Sequence, residues 1–208
     1  NVTGEDGMLT IASFGLGNVG ETISEYDDLI QIIEECAKDG YQALGLDSLQ
    51  MFARLAMHKV TGEDRLPVIP SRDQLKAGMS NEWPEVHRLM ENAAIKLRKA
   101  AKYVGVIASS DKAVDMLDMS NMGRPTTIAP NLPGKEASEC VGWFDLVGYL
   151  KLEATRPKEF TRKFSVVPDG GATKVRQRVP KLITQDIVLP KDKGGWLAIK
   201  TAVEEACK

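Results

Sequence analysis

Apolar residues recur at helical spacing over residues 26–38, where Tyr26, Leu29, Ile30, Ile33, Cys36 and Ala37 share one face. That spacing predicts a core-facing helix, and Gly40 supplies its stop. Tyr41-Gln42-Ala43-Leu44-Gly45-Leu46 then reads as a buried strand that runs into Asp47 and Ser48. A second helix follows over 49–57. Residues 61–80 are polar, hold Pro67, Pro70 and two glycines, and read as a surface excursion. Asn81-Glu82-Trp83-Pro84-Glu85 opens a third helix, with an amide to cap it, proline in the first turn and acids at the positive end of the dipole. Its apolar stripe of Val86, Leu89, Met90, Ala93, Leu97 and Ala101 continues to about Lys102.

The pattern then changes period. Residues 103–108 form a second buried strand ending on Ser109 and Ser110. Residues 113–134 are rich in Met, Pro and Gly without periodicity and predict a long loop, a kind of segment that usually carries function or moves. Residues 143–150 read as a third buried strand, and residues 8–14 as a strand preceding all of these. Residues 160–167 alternate like a half-exposed antiparallel strand, a turn at Asp169-Gly170-Gly171 leads to Lys174-Val175-Arg176-Gln177-Arg178, and residues 196–206 close with an amphipathic helix. Strands alternating with helices and then giving way to hairpins predict an α/β fold: one domain over 1–208, its sheet mostly parallel with an antiparallel C-terminal extension. The strands ending at Phe14, Asp47, Ala108 and Leu150 are expected to share that sheet, with Asp47 and Ser109 on one edge.

Composition narrows the class only a little. An apolar share of 43% with 27% charged residues is that of an ordinary globular protein, and no apolar run is long enough for a membrane span, so a cytoplasmic protein is expected. Cys36, Cys140 and Cys207 are odd in number and far apart, which fits reduced thiols. His58 and His87 stand alone, so no Ser-His-acid, Cys-His or zinc constellation can be assembled. Charge is uneven. Twelve of the 27 basic residues but only six of the 29 acidic ones lie from Arg156 onward, giving that third about +6 and the remainder about −8. Such a basic third suits either a polyanionic partner or a solvated surface.

The carboxyl edge of an open α/β sheet is where ligands sit, and Asp47 with Ser48 stands at such an edge. Both residues are also good helix caps, so a purely structural role for the pair stays open. Three segments carry a resemblance: the strand ending Leu46-Asp47-Ser48, the strand ending Ile107-Ala108-Ser109-Ser110, and the late Lys174-Val175-Arg176. In this order, with Pro133-Gly134-Lys135 and Phe144-Asp145-Leu146-Val147-Gly148 between them, the chain resembles the RecA-like P-loop ATPase core, over about residues 26–190. Its nearest likeness is to small phage-encoded recombination ATPases related to the Rad-type recombinases. The resemblance implies a three-layer RecA-like core that binds ATP and Mg²⁺ and works as a homo-oligomer on single-stranded DNA in recombination or replication. It assigns Asp47 to the metal side of the site. It puts Ser48, Ser109 and Ser110 beside the nucleotide, and Lys174 and Arg176 as catalytic cations inserted in trans onto a neighbour's phosphates.

The phosphate-binding loop breaks the pattern. Gly15-Leu16-Gly17-Asn18-Val19-Gly20-Glu21-Thr22 has the glycine spacing, but Glu21 fills the lysine slot and would repel the phosphates that a lysine neutralises. Between Gly20 and Asp47 there is room for one helix, whereas RecA-like cores interpose a further strand and helix. The segment is therefore either a degenerate phosphate loop or an incidental glycine-rich connection. On the second reading residues 8–14 are the second strand of the core, and the loop either precedes Asn1 or has been shed. The 208 residues alone are expected to bind ATP weakly or not at all. The alternative function is a non-catalytic structural or assembly protein, virion-associated, that keeps the fold without hydrolysing nucleotide.

Overall fold

A computed structural model describes residues 23–63, 65–114, 125–133, 136–156, 159–167, 175–190 and 195–208. The expected strand over 8–14 and the 15–22 glycine-rich segment lie outside these residues, as do Lys174 and the turn at 169–171. The chain divides into two compact units, residues 1–109 and 110–208.

In the first unit, helix α1 (Tyr26–Asp39) begins with Asp27 and Asp28 at its positive end and stops at Gly40, whose φ of 72° is the left-handed conformation that glycine adopts without penalty. Strand β1 (Ala43–Asp47) follows. Helix α2 (Leu49–Thr61) starts directly behind it, capped by Ser48, and runs one turn further than its periodicity predicts, to Gly62. The surface excursion contains a short helix, α3 (Arg72–Lys76), held by a reciprocal capping box between Ser71 and Gln74. Helix α4 (Trp83–Ala100) carries Pro84 in its first turn, and the Asn81 side chain accepts the Trp83 N–H at 3.1 Å. Strand β2 (Tyr103–Ile107) closes the unit.

Helices α1, α2 and α4 pack on one another. Leu29, Ile33, Phe52, Leu55, Val86, Leu89, Met90 and Leu97 form the core between them. Val86 and Met90 are fully buried, and each such side chain contributes about 1.5–3 kcal/mol relative to an exposed one. Tyr26 fixes the relative setting of the three helices. Its ring stacks on Phe52 of α2 with centroids 6.3 Å apart, and its hydroxyl donates to the Leu89 carbonyl of α4 at 2.8 Å. Ion pairs from Lys59 to Asp27 and from Lys96 to Glu34 join the same helices at the surface.

The second unit is antiparallel throughout its described strands. Strands β3 (Ser110–Val114) and β4 (Pro125–Pro130) pair, so the segment expected as a loop holds strand residues at both ends. A short helix α5 (Glu136–Glu139) leads into a 3₁₀ turn over Cys140–Trp143, where Cys140 and Trp143 are buried. Strand β5 (Leu146–Val147) pairs with β8 (Arg176–Gln177). Strands β6 (Tyr149–Arg156), β7 (Glu159–Ser165) and β9 (Ile187–Leu189) make a three-stranded sheet in the order β6-β7-β9, and helix α6 (Trp196–Ala206) ends the chain. The thiols are free: Cys140 is buried, Cys36 half-buried and Cys207 exposed.

The α/β class holds, and so does the antiparallel character of the C-terminal part. The expected single sheet does not: the described strands form four small sheets, and only β1 and β2 are parallel. Leu150 lies in β6, opposite Phe164 of β7, and not in the sheet of Asp47. The reason is local. Gly148 breaks the apolar run, and Tyr149–Arg156 alternates apolar and charged side chains with the period of a half-exposed antiparallel strand.

Candidate functional site

The parallel pair runs in register from Ala43 opposite Tyr103 to Asp47 opposite Ile107. Leu46 is buried, while its neighbour Asp47 points the other way and is exposed, as the two-residue period of a strand requires. Both strands therefore deliver their carboxyl ends to one edge, and Asp47 and Ser109 lie at that edge together, as the sequence predicts. The peptide joining Asp47 to Ser48 is cis.

Ser48 is the N-cap of α2. Its hydroxyl accepts the Met51 N–H at a long 3.5 Å, and its carbonyl accepts the Phe52 N–H at 3.3 Å. The capping alternative thus holds for the serine of the pair and leaves the Asp47 carboxylate at the edge. Ser109 is anchored by a residue that the sequence does not single out. Gln50, in the first turn of α2, donates its side-chain N–H to the Ser109 carbonyl at 3.0 Å and accepts the Ser109 N–H at 3.2 Å. The amide thereby completes one ladder rung beyond the end of β2. A glutamine in the first turn of the helix that follows an acid-ended strand is the signal that could have found it.

Ser110 opens β3 opposite Pro130 and belongs to the second unit. Arg176 also lies in the second unit, in β8 opposite Val147. It is half-buried and does not project as a free finger: its guanidinium lies across Gly142, where an added Cβ would come within 3.3 Å of Nη1. The adjacent Gln177 locks the strand. Its Nε2 donates to the Val166 and Ile183 carbonyls and its Oε1 accepts the Ile183 N–H, all at 2.9 Å. Asp145, next to β5, accepts the Arg178 N–H through its backbone carbonyl at 2.7 Å, which fixes the end of β8.

Among the described residues no three His, Cys, Asp or Glu side chains gather as a metal-holding group. One exposed carboxylate at the carboxyl end of a parallel strand nevertheless fits Mg²⁺ held chiefly by water and phosphate oxygens, since that ion needs only one or two protein carboxylates. Asp47 is the residue that would hold it, with Ser109 at the same edge. Among the described residues no helix is long and apolar enough to cross a membrane.

An acid-ended parallel strand, a capped helix behind it and a second strand ending at the same edge are compatible with an α/β domain of P-loop ATPase type, the class that the family match supports. The chain belongs to the AAA domain family, whose model matches residues 4–192. No curated protein and no solved structure matches the chain.

Proposed function

We propose that this protein is a RecA-like nucleotide-binding ATPase of phage type that works in the cytoplasm as a homo-oligomer on single-stranded DNA during recombination or replication. The observation that carries the reading is the parallel register that puts Asp47 and Ser109 at one carboxyl edge, within a chain of the AAA domain family. Asp47 serves the Mg²⁺ side of the site, and Ser48, Ser109 and Ser110 line the nucleotide. Lys174 and Arg176 are the cations offered to a neighbouring subunit. The excess of twelve basic over six acidic residues from Arg156 onward supports a polyanionic partner. ATP and Mg²⁺ are the cofactors this reading requires.

The test is Mg²⁺-dependent binding of a fluorescent ATP analogue by the full-length protein. Saturable binding that weakens at least tenfold without Mg²⁺ or in Asp47→Ala supports the site. Binding that is indifferent to both removes Asp47 from it.

One observation favours a second reading. Glu21 occupies the lysine slot of the 15–22 segment, which fits a structural or assembly protein, virion-associated, that retains the fold without hydrolysis. Glu21→Lys separates the two. A gain in analogue affinity marks 15–22 as a degenerate phosphate loop, and no change removes that segment from the site.

A further inference from the structure

We infer that the free edge of β6 pairs antiparallel with β6 of a second copy of this chain, about a two-fold axis at Leu152, and so joins two three-stranded sheets into one. The contact is isologous and closes on two copies. It is therefore distinct from the head-to-tail contact that cations acting in trans require, and it stands without the nucleotide-site reading.

The edge is open to a strand. Strand β6 has β7 on one side, and among the described residues no strand pairs on its other side. The ladder is regular from Tyr149 opposite Ser165 to Ala154 opposite Phe160, and its register shifts only between Ala154 and Arg156. Six residues without a proline thus present alternate backbone N–H and C=O groups along a straight row. The other edge of the same sheet is blunted: β9 has three residues and runs into Pro190. Long edges are commonly guarded by unpaired charge, but the charges of β6 are already neutralised. Lys151 pairs with Asp186 at 2.7 Å, and Glu153 pairs with Lys163.

The side chains select the occupant and its register. Leu150, Leu152 and Ala154 lie on one face of the sheet with Phe160, which stands opposite Ala154, while Lys151 and Glu153 lie on the other. Leu150, Leu152 and Phe160 are 58%, 69% and 54% exposed, an apolar patch on the strand whose edge is free and on its neighbour. Like faces stay together only if the two-fold axis passes through a residue. An axis at Lys151 sets lysine against lysine, and one at Glu153 sets carboxylate against carboxylate. An axis at Leu150 or Ala154 runs the ladder into the Gly148 break or into the register shift. At Leu152 every rung agrees. Lys151 of each copy faces Glu153 of the other, Leu152 faces Leu152, and Leu150 faces Ala154 with Phe160 beside it. An ammonium has three donors and a carboxylate two oxygens, so both groups accept this second partner while keeping the first.

The experiment follows the full-length protein by sedimentation equilibrium without nucleotide or Mg²⁺. A short ladder with a small apolar patch belongs to the weak end of specific interfaces, so a dimer with a Kd on the order of 10 µM is expected. Lys151→Glu and Glu153→Lys each put like charges at two rungs and should each weaken association at least tenfold. An equimolar mixture of the two variants should recover to within about threefold of the parent, because opposite charges then face one another at both rungs. Each variant also breaks an ion pair within its own chain, so a second measurement reads the register directly. In a Cys207→Ser background, a short bis-maleimide should join Leu152→Cys to its copy and should not join Leu150→Cys, which lies four residues along the strand from its own copy. A parent that is still monomeric at about 200 µM overturns the proposal and leaves the edge to a different chain. Association that neither charge variant weakens, or a mixture that does not recover, also overturns it. Where a charge variant fails to fold, the cysteine pair decides, and equal linking at 150 and 152 overturns the register.

Discussion

Glu82 accepts two hydrogen bonds from the Arg65 guanidinium, both at 2.9 Å, and a third from the Val68 N–H at 2.8 Å. The residue that begins α4 therefore also closes the excursion between α2 and α4. The Arg65 hydrogen bonds, with the Val68 amide next, pull the Glu82 carboxyl down from an ordinary value near 4.5 to about 2. A depressed carboxyl contributes stability above its unfolded value and loses it as pH falls through the folded one. The midpoint of thermal unfolding should accordingly decline between pH 4.5 and 2, and Glu82→Gln should flatten that decline. At neutral pH the variant should lower the midpoint only slightly, because the pair is solvent-exposed. Parallel melts of both proteins across that window check it. An unchanged acid limb in the variant would remove the clip from the account.

Gln177 satisfies three backbone groups on Val166 and Ile183. Val166 is fully buried, so water cannot readily replace the lost partner. Gln177→Ala should cost about 1–3 kcal/mol in urea unfolding, and Gln177→Glu should cost a similar amount because both donated bonds disappear. A loss below about 0.5 kcal/mol in both variants would show that the clamp is incidental.

Gly148 is packed under the ring of Phe164, and an added Cβ would sit 2.4 Å from it. Gly148→Ala should destabilise by about 1–3 kcal/mol, since the ring must leave its place over the break between β5 and β6. In a Phe164→Leu background the same substitution should cost clearly less, a coupling that a double-mutant cycle measures directly. Additive effects would mean that the ring is not what excludes the methyl.

Arg176 is half-buried along Gly142, so service to a neighbouring subunit requires its guanidinium to leave that resting place. On the function proposed above, with Arg176 acting in trans in a hydrolysing oligomer, Arg176→Ala should lower kcat about a thousandfold with KM nearly unchanged, the signature of a contact made in the transition state. Mixing Arg176→Ala with Asp47→Ala subunits should restore part of the activity, because composite sites regain one acid and one cation. Confirmed mixed oligomers without rescue would place Arg176 in cis or outside catalysis.

The elements nearest Asp47 are legible in the sequence because each announces itself by period and punctuation. The stripe from Tyr26 to Ile33, the Gly40 stop and the Ser48 cap suffice to place β1 and α2. Helix α3 escapes notice because it buries no residue and so has no apolar stripe; its only signature is the Ser71–Gln74 box. The run ending at Leu150 misleads for a different reason. Apolar residues from Trp143 onward read as one buried strand, while the chain makes a 3₁₀ turn, a two-residue strand and a glycine break before β6 begins. Gln50 and Gln177 leave no periodic trace at all, since their function lies in which backbone groups they meet across the fold.

The three free thiols differ in accessibility, which gives the protein a chemical address. Burial, with Glu136 adding to it, pushes the Cys140 thiol up to about 12, and burial with the carboxylates of Asp39 and Glu35 also raises that of Cys36. Cys207 alone is exposed. A maleimide dye at neutral pH should therefore settle first on the end of α6 and leave the other two sulfurs unmodified. The native chain can thus be given a fluorescent reporter on its second unit without a single substitution.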